Sequence, residues 1–176
     1  VPDRARFDDE LGPMDFGDIL GRAAVVRALG AAAPSLTAKD LPLVSTFLLK
    51  VLGDEDEGVR DAAMRGGRSM IELHGAAHVA QLLAVYEGYF DKQTRGGGSS
   101  LTEMQMDNVR QGVAVFLGSL ASHLEKSDPR VRQILSRLVD VLSTPSEAVQ
   151  KSVADCLPGL AQNLDEDERR ALIESL

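Results

Sequence analysis

Five apolar stripes at helical spacing, the absence of alternating strand patterns and a block that recurs about every 40 residues make this 176-residue chain an all-α solenoid of stacked antiparallel helix pairs. Leu41, Val44, Leu48, Val51 and Leu52 keep to one helix face, as do Val79, Leu82, Leu83, Tyr86 and Phe90. Met106, Val109, Val113, Phe116, Leu117, Leu120 and Leu124 form a third stripe. Val131, Ile134, Leu135, Leu138, Val141 and Leu142 form a fourth, and Val149, Val153, Leu157, Leu160 and Leu164 a fifth. Nowhere do four or more residues alternate apolar and polar between turn signals, which a half-buried strand requires.

Start signals then place each element. The helices fall at about 16–33, 38–52, 56–74, 76–91, 102–124, 129–142, 146–163 and 166–176. Asp40 before Leu41-Pro42, and Ser127-Asp128 before Pro129, put proline in a first turn, where its missing N–H costs little. Ser100 with Glu103 reads as an N-cap pair. Thr144-Pro145-Ser146-Glu147 reads as a capping box with Thr144 as N-cap and Pro145 at the first helical position. The break between the third and fourth helices is expected at Gly75, and Pro158-Gly159 predicts a kink or local break. Connections are mostly two to five residues, which forces antiparallel neighbours. The exception is the Gly/Ser-rich stretch at 93–101, read as a flexible loop.

Aligned on their starts, the helices repeat. Gly58 to Ala63 (GVRDAA), Asn108 to Val113 (NVRQGV) and Ala148 to Val153 (AVQKSV) superpose without gaps, and Leu20 to Val25 (LGRAAV) is a weaker copy. Arg22, Arg60, Arg110 and Gln150 are spaced by 38, 50 and 40 residues, and the 50 falls to about 40 once the Gly/Ser loop is set aside. Two helices per period of about 40 is the HEAT/armadillo range. The units are approximately 1–35, 36–75, 76–125, 126–163 and a partial 164–176. The repeat positions are Arg22, Asp56, Val59, Arg60, Asp107, Val109, Arg110, Val149 and Gln150. Asp56 and Asp107 can pair with the arginine that follows each valine, or along the stack, and Gln150 leaves that ladder incomplete. The chain opens on Val1, and neither terminus offers a polar cap, so the expectation is an excerpt of a longer array.

Composition narrows the function classes. Nineteen basic against twenty-seven acidic residues give a net charge of −8, which disfavours wrapping nucleic acid but leaves room for a local basic contact. A single cysteine excludes an internal disulfide and fits a reducing compartment. No apolar run approaches the roughly 18–20 residues of a membrane span, and the acidic start lacks a signal-peptide pattern. The expected setting is therefore cytoplasmic, without membrane.

No catalytic, cofactor-binding or metal set emerges. His74 and His78 are four apart, yet no accompanying ligand set is present. His123 and Cys156 lie on or beside apolar stripes and read as core. Arg95 to Ser100 lacks the Gly-Lys-Ser/Thr ending of a phosphate loop and follows a helix rather than a strand. The acidic runs 54–57 and 165–168 read as solvated turns at helix N-termini. The candidate partner contact is the basic cluster Lys126, Arg130, Arg132 and Arg137, without an aromatic platform for stacking bases.

From about residue 40 onward, two stretches resemble one family: Asn108 to Val131 (NVRQGVAVFLGSLASHLEKSDPRV) and Leu142 to Leu160 (LSTPSEAVQKSVADCLPGL). They look like the central HEAT region of the Gcn-type (general control non-derepressible) ribosome-bound translational activators, a region itself similar to part of fungal elongation factor 3. The resemblance implies a non-enzymatic scaffold on ribosomes, in a protein that switches on the kinase of eukaryotic initiation factor 2 alpha under amino-acid starvation. It implies the ribosome as partner, kinase contact through other parts of the parent, and no sequence-specific nucleic acid. It brings no site residue with it. The other readings are a HEAT adaptor for a protein cargo or a cytoskeletal or transport partner, and an enzyme built around His74, His78 and His123. The absence of Trp and the acidic turn at 54–57 weigh against a tubulin-type adaptor.

Overall fold

The computed structural model describes residues 19–94, 101–125, 127–143, 145–162 and 164–175. Seven α-helices and one 3-10 turn account for the regular structure, with no strand among the described residues. They are α1 (Ile19–Ala31), α2 (Leu41–Val51), α3 (Glu57–Thr94), α4 (Glu103–Ala121), α5 (Pro129–Leu142), α6 (Glu147–Ala161) and α7 (Glu166–Ser175), with the 3-10 turn at Ala33–Ser35. The all-α solenoid read from the periodicity is what folds.

The helices sort into two layers. In one, α1 packs on the first part of α3, α3 on α4, and α4 on α6. In the other, Gln81 of α3 donates to Ala38 O ahead of α2 (2.8 Å), and Gln133 of α5 donates to Glu87 of α3 (2.7 Å). Arg132 of α5 pairs with Glu168 of α7. The second part of α3 therefore lies between α2 and α5, and α7 follows α5. Each apolar stripe faces the seam between the layers. Leu41, Leu48, Leu82, Tyr86, Phe116, Leu120 and Ile134 are essentially inaccessible to solvent. At ~25 cal/mol per Å² of apolar surface removed from water, this seam is the main stabilising term.

Glycines set the approach within the first layer. A Cβ built on Gly30 would lie 3.3 Å from Gly66 Cα, one on Gly67 2.1 Å from the Phe116 ring, and one on Gly118 2.6 Å from Cys156 Sγ. Side chains at these points would hold the helices apart.

Several local expectations are corrected. The third and fourth helices are both present within α3, but the break between them is the kink at His78 (φ −129°, ψ 26°), three residues past Gly75. Gly75 instead receives the His123 ring, 2.7 Å from where its Cβ would stand, so the glycine serves a contact and not a stop. The cap of α4 is Thr102, whose hydroxyl accepts from Gln105 N while Gln105 returns a bond to Thr102 N. Ser100 of the predicted Ser100–Glu103 pair lies outside the described residues. Before α6 the N-cap is Ser146, so Pro145 precedes the helix instead of opening it; Thr144 also lies outside the described residues. Gln93 and Thr94 belong to α3, and the rest of the predicted loop to residue 100 is likewise outside. Helix α6 runs unbroken through Pro158, which is exposed, so the Ala154 carbonyl that loses its partner can bond water. The Pro42 and Pro129 first turns are as expected; Asp128 caps α5 by accepting from Arg130 N, whereas Asp40 stands at the N-cap position of α2 without a side-chain cap bond.

Among the described residues, one buried side-chain polar atom is left short inside the core. The Tyr86 hydroxyl is buried without a hydrogen bond of good geometry, and burial pushes the phenol up from its ordinary pKa. Ser45 is near enough to act on it, but its own hydroxyl points to Met70 Sδ at 3.8 Å.

Candidate functional site

The repeat positions come first, because they decide which polar groups are left for partners. Val59, Val109 and Val149 are all fully buried, the same role in three successive units. The charges around them do not pair as a simple ladder. Asp56 caps α3 by accepting from Val59 N at 3.0 Å. Arg60 donates to the carbonyls of Asp54 and Glu55, at 2.9 and 2.8 Å, rather than to Asp56. Arg110 bonds Asp107 within its own turn at 3.0 Å, and Gln150 donates to Leu142 O at 3.2 Å.

The rung between units is one that spacing did not reveal. Arg22 on α1 forms a forked pair with Asp54, Nε to Oδ2 at 2.8 Å and Nη2 to Oδ1 at 3.2 Å. The hydrogen bond to Asp54 raises the Arg22 pKa above its usual value. In sequence, Asp54 belongs to an acidic run expected to be a solvated turn. Its carboxylate instead also receives Asp56 N at 2.9 Å, tying α1 to the turn that starts α3.

The predicted basic cluster is built into the fold. Lys126 lies outside the described residues. Arg130 forks onto Asp128, the N-cap of its own helix, with Nε 2.9 Å from Oδ1. Arg132 pairs with Glu168 of α7. Arg137 pairs with Asp91 of α3 at 3.2 Å and lies 6.0 Å from the centre of the Phe90 ring. These three guanidiniums face carboxylates from three different helices or turns, so their positive potential is largely compensated locally.

Asp128 offers a titration test. Its side-chain and backbone hydrogen bonds with Arg130 hold the carboxyl down from 3.8 to about 2. A depressed carboxyl contributes stability above the unfolded value that disappears as pH falls through the folded one, here between about 4 and about 2. NMR titration of the Asp128 carboxyl carbon should show a midpoint near 2, and a midpoint near 4 would mean the pair does not persist in solution. Asp128→Asn keeps a good N-cap residue and should remove this part of the acid dependence.

His74 Nε2 lies 2.7 Å from Ala33 O, and its ring centre is 6.4 Å from that of His78. His123 rests on Gly75, so the three histidines are parts of packing contacts. The described residues gather no group of three or more metal-ligating side chains. Cys156 sits against Gly118, and burial raises its thiol pKa against a smaller opposing effect of Arg68. Two shallow grooves open on the α1–α3–α4 side. One of about 180 Å³ is lined by Glu57, Arg60, Asp61, Asn108 and Gln111, among others. The other, of about 240 Å³, runs between α1 and α3 and is lined by Arg27, Gly30, Ala62, Arg65, Gly66 and Ser69. Both fall below the range of about 300–1,000 Å³ usual for small-molecule sites.

With this two-layer stack in place, the sequence profile described as "Stalled ribosome sensor GCN1, HEAT repeats" matches residues 8–122. The chain belongs to the GCN1 HEAT-repeat family. It is 39% identical over 84% of its length to the protein ILITYHIA of Arabidopsis thaliana, and 36% over 83% to the stalled ribosome sensor GCN1 of Homo sapiens. To the eIF-2-alpha kinase activator GCN1 of Saccharomyces cerevisiae it is 28% identical over 80%. The chain spans about 5% of the length of these curated relatives. No solved structure matches it significantly.

The GCN1 match begins at residue 8, well before the two stretches that carry the resemblance in sequence, and it closes at the end of α4. The grooves beside Arg60 and Arg65 fall inside it, whereas the cluster from Lys126 to Arg137 falls beyond it. No described helix is long and apolar enough to cross a membrane.

Proposed function

We propose that this chain is a non-enzymatic scaffold segment of a ribosome-associated, cytoplasmic translational activator, one that promotes activation of the kinase of eukaryotic initiation factor 2 alpha. The observation that carries the reading is the GCN1 HEAT-repeat match, supported by relatives named as a stalled ribosome sensor and as eIF-2-alpha kinase activators. A stack whose neighbours are joined by glycine contacts, by the Arg22–Asp54 rung and by the α5 side chains suits a segment that holds curvature and spacing. No chemistry of its own is assigned to it, and the kinase would be met through other parts of the parent.

Sucrose-gradient co-sedimentation of the full-length parent with and without residues 1–176 tests this. Loss of the parent from ribosome fractions on deletion places a contact or an essential spacing within the segment. Undiminished co-sedimentation, together with undiminished kinase activation, would remove the segment from the function. The surface at Lys126, Arg130, Arg132 and Arg137 stays a candidate contact, chiefly through Arg132, whose side chain is 69% exposed. Charge reversal there also breaks the pairs with Asp128 and Glu168, so it is a poor first probe.

A further inference from the structure

Three exposed guanidiniums on α1 and α3 have no carboxylate partner among the described residues, and they are not the cluster that spacing suggests. Arg27 of α1 and Arg65 of α3 line the same groove. Arg68 follows Arg65 by three residues and so neighbours it on the surface of α3. All three side chains are exposed. None of the three has a hydrogen bond or ion pair with a described residue. Asp61 stands four residues before Arg65 and Glu72 four after Arg68, but neither closes on its neighbour. By contrast, Arg22, Arg110, Arg130, Arg132 and Arg137 are each held by a carboxylate.

The floor of the groove favours one kind of occupant. It is made by Gly30, Ala62, Gly66 and Ser69, where the two helices touch backbone to backbone. The lining holds no carboxylate and no aromatic or large aliphatic side chain to complement a protein anchor, and rim charges alone contribute little to protein–protein affinity. Phosphates are different, since forked guanidiniums match them directly and counterion release lets exposed cations supply the affinity. The groove lacks an aromatic residue for stacking, so bases would not be read.

We infer that Arg27 and Arg65 in the groove between α1 and α3, with Arg68 beside Arg65 one turn along α3, form a sequence-independent contact for the phosphate backbone of RNA. This rests on the ribosome-associated reading and names the chemistry of one contact within it. The chain's net charge of −8 confines such a contact to this patch.

The test is NMR of the isotope-labelled 176-residue chain titrated with a 20-nucleotide oligouridylate, following the arginine Nε–H signals. The Arg27, Arg65 and Arg68 signals should shift, while those of the carboxylate-held Arg22 and Arg110 stay. Three phosphates contacted by a single strand give a log–log salt slope of roughly −2, or about 20-fold weaker binding from 50 to 200 mM salt. The triple variant Arg27→Glu, Arg65→Glu, Arg68→Glu should bind at least tenfold more weakly with unchanged helicity. An Arg→Gln triple provides the same reading if the reversal unfolds. Unmoved signals, equal shifts at every exposed cation, or tighter binding of a polyglutamate peptide than of the RNA would each overturn the inference. If the RNA leaves the signals unmoved while deletion of 1–176 still releases the parent from ribosomes, the phosphate site falls and the scaffold reading stands. The reverse pattern separates them the other way.

Discussion

Phe116→Ala is expected to lower the unfolding free energy by about 3–5 kcal/mol, the usual cost of deleting a buried phenylalanine ring. Phe116 is fully buried at the middle of α4, its ring centre 5.6 Å from that of Tyr86 and its edge over Gly67. One side chain thus joins both parts of α3 to α4, across the seam between layers. For a chain of this size each kcal/mol moves the midpoint by roughly 2–4 °C, so thermal melting followed by circular dichroism should show a fall of about 6–20 °C. In a stack that is stable only through neighbour contacts, the loss should also broaden the transition, as helices on either side of α4 melt more independently. A fall below about 1 kcal/mol would show that the coupling between units does not run through this ring.

The features that could be read from the sequence share one property: their cause is local or periodic. The valine of each repeat block, Val59, Val109 and Val149, is fully buried because burial follows helical phase. The bounds of α5, Pro129–Leu142, are those expected because Asp128-Pro129 supplies both cap and first turn. Phase and capping do not choose between equivalent registers. Ser100–Glu103 and Thr102–Gln105 both satisfy the capping pattern, and it is Thr102–Gln105 that caps α4. Gly75 carries the signal of a helix stop, yet its missing side chain is used by His123 from another helix.

The candidate site was less legible for the same reason. Clustering in sequence singled out Arg130, Arg132 and Arg137, but whether an arginine is free depends on carboxylates such as Asp91 and Glu168 that arrive from other helices. Arg22 finds Asp54 across 32 residues, and Arg27 and Arg65 share a groove because Gly30 lets α1 approach Gly66. These pairings depend on how the stack closes, which no window along the chain contains.

Gly67→Ala separates steric closeness from helix propensity, because the two effects have opposite signs. Within a helix, replacing glycine by alanine gains about 0.8–1 kcal/mol. At Gly67 the new methyl would stand 2.1, 2.5 and 2.8 Å from three atoms of the Phe116 ring. That ring is fully enclosed and packed on Tyr86, so it cannot swing aside and either the ring or the α3–α4 spacing must shift. Overpacking of this kind costs about 1–3 kcal/mol against that gain, so denaturant unfolding should show a net destabilisation of up to about 2 kcal/mol. Gly88 on the same helix has nothing within 4 Å of its would-be Cβ, so Gly88→Ala should stabilise by up to about 1 kcal/mol. Phe116→Leu in the Gly67→Ala background should recover part of the loss, giving a coupling of about 0.5–3 kcal/mol in a double-mutant cycle. Additive costs would mean that α3 and α4 do not meet through this pair, and that the spacing of the layer is set elsewhere along the two helices.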